Sequence, residues 1–229
     1  MIRFVFFDLG NVLVRFSIDR LAQQGADLTG RSKEEVRRAV FDKGMKDRVE
    51  TGRTTAGEFY EHFCCELDCR PDPEAVEWAL HDIFEENEEI HPITQRLTEL
   101  DFPRGILSNT GPGHWSHCCT FFPYILERFP VNHVLSYEVG VMKPDHGIYR
   151  VALSAAEYAV PHIRPDEVLF IDDLEKNVRA AREFGFDAVL YKNDSSAFSE
   201  RIPSISQSPD TFGLTGSPTP TEQAAKRSR

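Results

Sequence analysis

The chain has 229 residues, 41% of them hydrophobic, and a formal net charge of −11 at pH 7. That length suits one sizeable domain with an insertion, or two small ones, and the acidic balance argues against a broad nucleic-acid surface. No apolar run approaches a transmembrane helix, and no basic segment and cleavage site opens the chain, so neither a membrane partner nor a signal peptide is expected and the expected location is cytoplasmic.

Residues 2–8, IRFVFFD, read as a first strand that is apolar on both faces, the mark of a parallel sheet covered on each side by helices. It ends in a carboxylate, Asp8, and Gly10 two positions later suits a tight turn. Residues 15–103 carry helical patterns and no persuasive strand, with candidates at 17–28, 32–43, 54–67 and 73–86. Phe59, Phe63 and Leu67 fall along one apolar stripe, and Val76, Leu80 and Phe84 along another. An insertion of this length is no ordinary βα loop, and a helical cap is expected. Strands follow at 104–109, 133–137, 167–172 and 187–192, with helices at 145–158 and 175–185, the second stopping at Gly185. The second half is therefore β-α-β-α-β, and the expected fold class is α/β: a Rossmann-like parallel sheet flanked by helices, with a helical cap inserted after the first strand. Residues 1–14 and 104–193 form the expected core and 15–103 the cap with its linkers. Residues 194–229, rich in Ser, Pro and Thr, are expected to be a disordered tail.

The five cysteines lie in two groups, Cys64, Cys65 and Cys69, then Cys118 and Cys119; neither has C-x-x-C spacing, so reduced thiols are expected rather than zinc. His114 and His117 are three residues apart but lack a third metal ligand, and Trp115 reads as the lid of a core.

In an open α/β sheet, ligands bind beyond the carboxyl ends of the strands. Four polar groups fall at such places: Asp8, then Ser108-Asn109-Thr110, then Lys143-Pro144, then Asp172-Asp173. One alone would be turn chemistry; four in succession point to a site. Adjacent ionised Asp172 and Asp173 repel each other unless a cation relieves them, and an oxygen-rich set favours Mg²⁺. Lys143 can neutralise a phosphate oxygen, Ser108 offers a hydroxyl and an amide, and Asp8 is a candidate nucleophile. The chemistry suggested is metal-assisted phosphoryl transfer on a small-molecule phosphate, by a monomer or weak homodimer.

The segments FFDLGNVLV, ILSNT, GVMKPDHGIY and VLFIDDLEKN, in that order, resemble the four motifs of the haloacid-dehalogenase-like hydrolase superfamily. They look most like the branch that includes bacterial alpha-D-glucose-1-phosphate phosphatase and the N-terminal phosphatase domain of soluble epoxide hydrolase, and the resemblance covers residues 1–193. It implies that Asp8 becomes an aspartyl phosphate and that the Gly10 carbonyl supplies a metal ligand. Ser108 and the Asn109 amide would hold a phosphoryl oxygen, and Lys143 would bridge nucleophile and phosphate. Asp173 would ligate the metal, with Asp172 doing so directly or through water, and Asn177 would tie the last motif together.

The pattern is broken at Gly10, where phosphatases of this family usually carry a second aspartate as acid/base, a contribution worth about 10²–10⁴-fold. Substrates with good leaving groups, such as sugar 1-phosphates, would need it least. Glu50 or His146 could replace it, or the protein could bind phosphate ligands with little turnover. Dehalogenation without a metal is a further alternative, which the paired aspartates oppose. Arg48 and Arg53, in RVETGRTTAGEF, are candidate substrate-facing residues of the cap.

Overall fold

The structure is a computed structural model, and it describes residues 1–41, 44–194, 198 and 201–202. Seven strands are present among them: β1 (Phe4–Phe7), β2 (Val14–Phe16), β3 (Phe84–Glu86), β4 (Arg104–Ser108), β5 (His133–Leu135), β6 (Val168–Asp172) and β7 (Asp187–Leu190). Five form one sheet in the order β5-β4-β1-β6-β7, all parallel. The first strand is thus the central one, with Phe7 in register with Ile106 on one side and Ile171 on the other.

The helices are α1 (Ile18–Thr29), α2 (Lys33–Phe41), α3 (Met45–Glu50), α4 (Ala56–Leu67), α5 (Pro73–His81), α6 (His91–Glu99), α7 (Pro112–Phe121), α8 (Tyr124–Arg128), α9 (Ser136–Val139), α10 (His146–Ala159) and α11 (Glu175–Phe184). Their ends follow local chemistry. Ser17 caps α1 by accepting from the Arg20 amide, Thr55 and Glu58 form a reciprocal capping box on α4, and Asp72 caps α5 ahead of Pro73. Gly30, Gly140 and Gly185 close α1, α9 and α11 in the left-handed conformation.

Alternation along β1 splits the core in two. Val5 and Phe7 join a cluster shared with the inserted helices and with α6, α7 and α8, whereas Phe4 and Phe6 face α10 and α11. Every β1 side chain is therefore buried, as expected of a central parallel strand. Trp115 packs against the first cluster, edge-on to His133.

The insertion departs from the expected all-helical pattern in one respect. β2 and β3 pair antiparallel, Val14 with Glu86 and Phe16 with Phe84, so the chain leaves and re-enters the core through a two-stranded ribbon. The helix read over 73–86 accordingly ends at His81. At three residues each, these strands are too short to show alternation. The strand read over 133–137 also ends early: Ser136 begins α9, and its hydroxyl accepts from the Thr110 amide at 3.0 Å. Within the segment read as a tail, Phe198 and Ile202 are buried against the core, Phe198 edge-on to Phe7; apart from Asp194 and Arg201, the rest lies outside the described residues. Residues 42 and 43 of the helix read over 32–43 lie outside them too. All five cysteines are free, and no described helix is long and apolar enough to cross a membrane.

Candidate active site

The site forms where β1, β4 and β6 end together. The Asp8 amide extends the β1–β6 ladder by donating to Ile171 O at 2.9 Å, which points the next residues out of the sheet. The chain then coils tightly: the amides of Leu13 and Val14 both donate to Leu9 O at 2.9 Å. The residue of this loop in the left-handed region is Asn11, φ 55°, and not Gly10. The Leu9 amide donates to Asp8 Oδ1 at 2.7 Å, fixing the carboxylate.

Lys143 follows α9 and precedes a cis peptide bond to Pro144. Its ammonium lies 2.9 Å from Asp8 Oδ1 and 2.7 Å from Asp172 Oδ2, and donates to Leu107 O at 2.9 Å. All three charged groups are buried, Asp172 completely. Asp172 is further held by the Leu174 amide at 2.8 Å and by Asn177 Nδ2, at 3.0 and 3.1 Å from its two oxygens. Asn177 is itself buried, and its carbonyl accepts from the Tyr149 hydroxyl at 2.9 Å, which ties α11 to α10. Asp173 is half-buried, and Asn11 Nδ2 donates to its Oδ2 at 3.0 Å.

Burial pushes the Asp8 carboxyl up to about 7, opposed by Lys143 and reinforced by Asp172 and Asp173. Burial also works against the Lys143 ammonium, but Asp172 and Asp8 outweigh it and hold its pKa above the usual lysine value. Burial raises Asp173 as well, helped by the neighbouring Asp172 charge.

Ser108 is buried at the end of β4. Asn109 is bound face to face with Lys143, its Nδ2 donating to Lys143 O and its Oδ1 accepting from the Lys143 amide, both at 2.8 Å. The Asn109 side chain therefore positions the lysine. Sequence reasoning assigned Asn109 only an amide, and it missed Asn11; the Asn within FFDLGNVLV and within ILSNT was the available signal.

A cleft of about 580 Å³ opens beside Lys143, lined by Arg48, Thr51 and Arg53 of the insertion and by Met142, Pro144 and Asp145 of the core. Two close approaches seat this part of the insertion: Gly52 lies against Tyr137 O, and Gly111 against Val49. Neither Glu50 nor His146 lines the cleft. Glu50 is paired with Lys46 at 2.6 Å, and the His146 ring rests against Phe184. A second hollow, of about 370 Å³, is bounded by Asn11, Arg15, Phe16, Asp173, Tyr191 and Asn193.

Oxygens of Asp8, Asp172 and Asp173 lie within 4.8 Å of one another, the one such group of potential metal ligands among the described residues. Three carboxylates face a single ammonium, leaving a negative excess. An all-oxygen, anionic donor set of this kind fits a hard divalent cation.

The family model for haloacid dehalogenase-like hydrolases matches residues 2–185, and the chain belongs to that family. It is 26% identical over 209 residues to D-ribitol-5-phosphate phosphatase from Bacteroides thetaiotaomicron, covering 84% of this chain and 93% of that one. Crystal structures of the HAD family enzyme bt-2542 from the same organism superpose with TM-scores of 0.74 for the enzyme at 25% identity and 0.74 for its complex with magnesium and inorganic phosphate at 24%. The first covers 84% of this chain and 94% of that one, the second 84% and 96%. A shorter likeness, 34% identity over 65 residues, links the chain to bifunctional epoxide hydrolase 2 of Rattus norvegicus, over 28% of this chain and 11% of that protein. The chain thus has the fold of the haloacid dehalogenase-like hydrolases, with an acidic cluster suited to a metal.

Proposed function

We propose that the protein is a Mg²⁺-dependent phosphomonoesterase of small phosphorylated sugars or polyols, acting through phosphorylation of Asp8. The observation that carries this reading is the buried Lys143 ammonium between Asp8 and Asp172, with Asp173 alongside, beside a cleft lined by two arginines. A catalytic core carries the nucleophile, and the inserted segment presents Arg48 and Arg53 to the substrate. Asp8 attacks phosphorus, and Lys143 offsets charge on the phosphoryl oxygens. Ser108 and the Asn109 amide hold one of those oxygens, and Asp172 with Asn177 holds the lysine in place. Asp8, Asp173 and the Gly10 carbonyl are the groups that would hold Mg²⁺, which when bound supplies further positive charge at the phosphoryl group. Similarity to an enzyme named for a polyol phosphate, and to one solved with magnesium and phosphate, supports the same substrate class.

The absence of a side chain at Gly10 favours a second reading, phosphate-ligand binding with little turnover. Phosphate release from glucose 1-phosphate, glucose 6-phosphate and ribitol 5-phosphate, with Mg²⁺ and with EDTA, separates the two. Release is expected in Mg²⁺, abolished by EDTA and by Asp8→Asn. Release that survives in purified D8N would remove Asp8 from the role of nucleophile. Binding without release across the panel would leave the second reading standing.

A further inference from the structure

Gly10 and Phe16 stand against each other. A β-carbon on Gly10 would lie 2.9 Å from Cε1 and 3.2 Å from Cδ1 of the Phe16 ring, closer than carbon atoms ordinarily pack. Backbone conformation is not what calls for glycine here, because the left-handed position of the loop belongs to Asn11. The obstacle is the ring, carried on the short β2–β3 ribbon. Phe16 pairs with Phe84 across β2 and β3, their ring centroids are 6.2 Å apart, and buried Phe84 packs edge-on to His114 at 5.2 Å. Phe16 remains 37% exposed, on the hollow it shares with Asn11 and Asp173. An aromatic wall therefore fills the space into which a side chain two residues after Asp8 would project.

We infer that Phe16 keeps position 10 free of a proton donor: its ring occupies the space such a side chain would need, so the site turns over fastest those phosphate esters whose leaving oxygen departs without a proton from the protein. The inference rests on the phosphatase reading. In the step concerned, an Asp8 oxygen bonds to phosphorus and the bond from phosphorus to the leaving oxygen breaks. That oxygen keeps the electron pair and takes its proton from water. Esters with acidic leaving groups tolerate this, and alkyl phosphates such as glucose 6-phosphate and ribitol 5-phosphate react more slowly. Gly10 and Phe16 are then a coupled pair, and restoring an acid at position 10 requires removing the ring as well.

The test compares Gly10→Ala, Gly10→Asp, Phe16→Ala and the two double mutants. In urea unfolding, each Gly10 substitution is expected to lower the midpoint in the presence of Phe16, and to lower it much less in the Phe16→Ala background. In Mg²⁺-supported turnover, wild type is expected to prefer p-nitrophenyl phosphate strongly to glucose 6-phosphate. Relative to F16A, G10D/F16A is expected to gain about tenfold in the ratio of kcat on glucose 6-phosphate to kcat on p-nitrophenyl phosphate, below the 10²–10⁴-fold of a well-placed acid. G10D alone should show no such gain. A gain in G10D equal to that of the double mutant, no gain in the double mutant, or equal midpoint losses with and without the ring would overturn the inference and leave the phosphatase reading intact. Failure of wild type to release phosphate from either ester would overturn the phosphatase reading, and the role of Phe16 with it.

Discussion

Asp8 and Lys143 are paired, yet their replacement should move stability in opposite directions. An ordinary aspartate ionises near 3.8, and folding lifts Asp8 to about 7. Between these values the folded chain keeps a proton that the unfolded chain has lost, so stability falls as pH rises through the window and stays low above it. Asn at position 8 is permanently neutral. Melting at pH 8 in EDTA should therefore find D8N more stable than wild type, by an amount on the order of 1 kcal/mol or more; Mg²⁺ should narrow the gap by stabilising wild type. A D8N protein less stable than wild type in EDTA would mean that Lys143 outweighs the desolvation of Asp8. Lys143→Met has the reverse effect. It strands two buried carboxylates, and unfolding in urea should show a loss of about 3–5 kcal/mol. The charged members of this cluster were legible in the sequence, because a carboxylate or ammonium ending an apolar strand has few structural uses. Phe16 was not. Its position depends on pairing with a strand at Phe84, far along the chain, and its contact is with a glycine that offers no side chain to reason from.

Among the elements, α1 packs against α2 at Gly25. A β-carbon there would lie 2.6 Å from Val36 Cγ1, well inside contact distance. Helix propensity alone favours alanine over glycine by about 1 kcal/mol. Overpacking a buried helix contact costs about 1–3 kcal/mol, and Val36 is itself fully buried, with little room to yield. Packing should win: Gly25→Ala is expected to lower the urea midpoint, and a rise would show that α1 and α2 can separate freely. The long amphipathic helices of the insertion and the five sheet strands were readable, since burial on one stripe or on both faces leaves a periodic trace. The short pieces were not. α3, α8 and α9 span six, five and four residues, too few for a stripe, and Ser136 joins α9 through a tertiary bond to Thr110. Arg48 and Arg53 reach the cleft because Gly52 seats their loop on Tyr137, a contact between distant parts of the chain with no local signature.

For the molecule as a whole, the seam between α5 and α7 should contribute strongly to the loss of stability in acid. His81 and His114 meet there edge to face at 5.1 Å, and His114 is bonded to Leu80 O. Burial, aided by the neighbouring histidines, depresses His81 to about 3; burial likewise depresses His114 to about 4, partly opposed by that bond to Leu80. Unfolding frees both rings to bind protons near pH 6.5. The contribution of these two rings is therefore fully present above that pH and falls as pH drops towards 4, by up to about 1.4 kcal/mol per pH unit for each ring, against the opposite slope contributed by Asp8 alone. His114→Gln cannot titrate and should flatten the slope of unfolding free energy between pH 6.5 and 4.5; an unchanged slope would place the proton uptake elsewhere. The parallel core and the site at its carboxyl edge were legible at this scale, whereas the seam was not, because His81 and His114 meet only after the insertion has folded back.

The sheet order has a consequence for how the protein is made. β1 is synthesised before the other strands of its sheet but sits at its centre, and its two neighbours, β4 and β6, begin only at Arg104 and Val168. While the ribosome is still building the middle of the chain, Phe4–Phe7 is a fully apolar segment with both hydrogen-bonding edges open, a setting in which nascent chains aggregate. The helices of the insertion and α6 are complete before β6 exists, and many of their apolar residues pack in the cluster that contains Val5 and Phe7. They can shelter one face of that strand during the wait, so the segment that carries Arg48 and Arg53 to the cleft would also serve as the first strand's companion during translation.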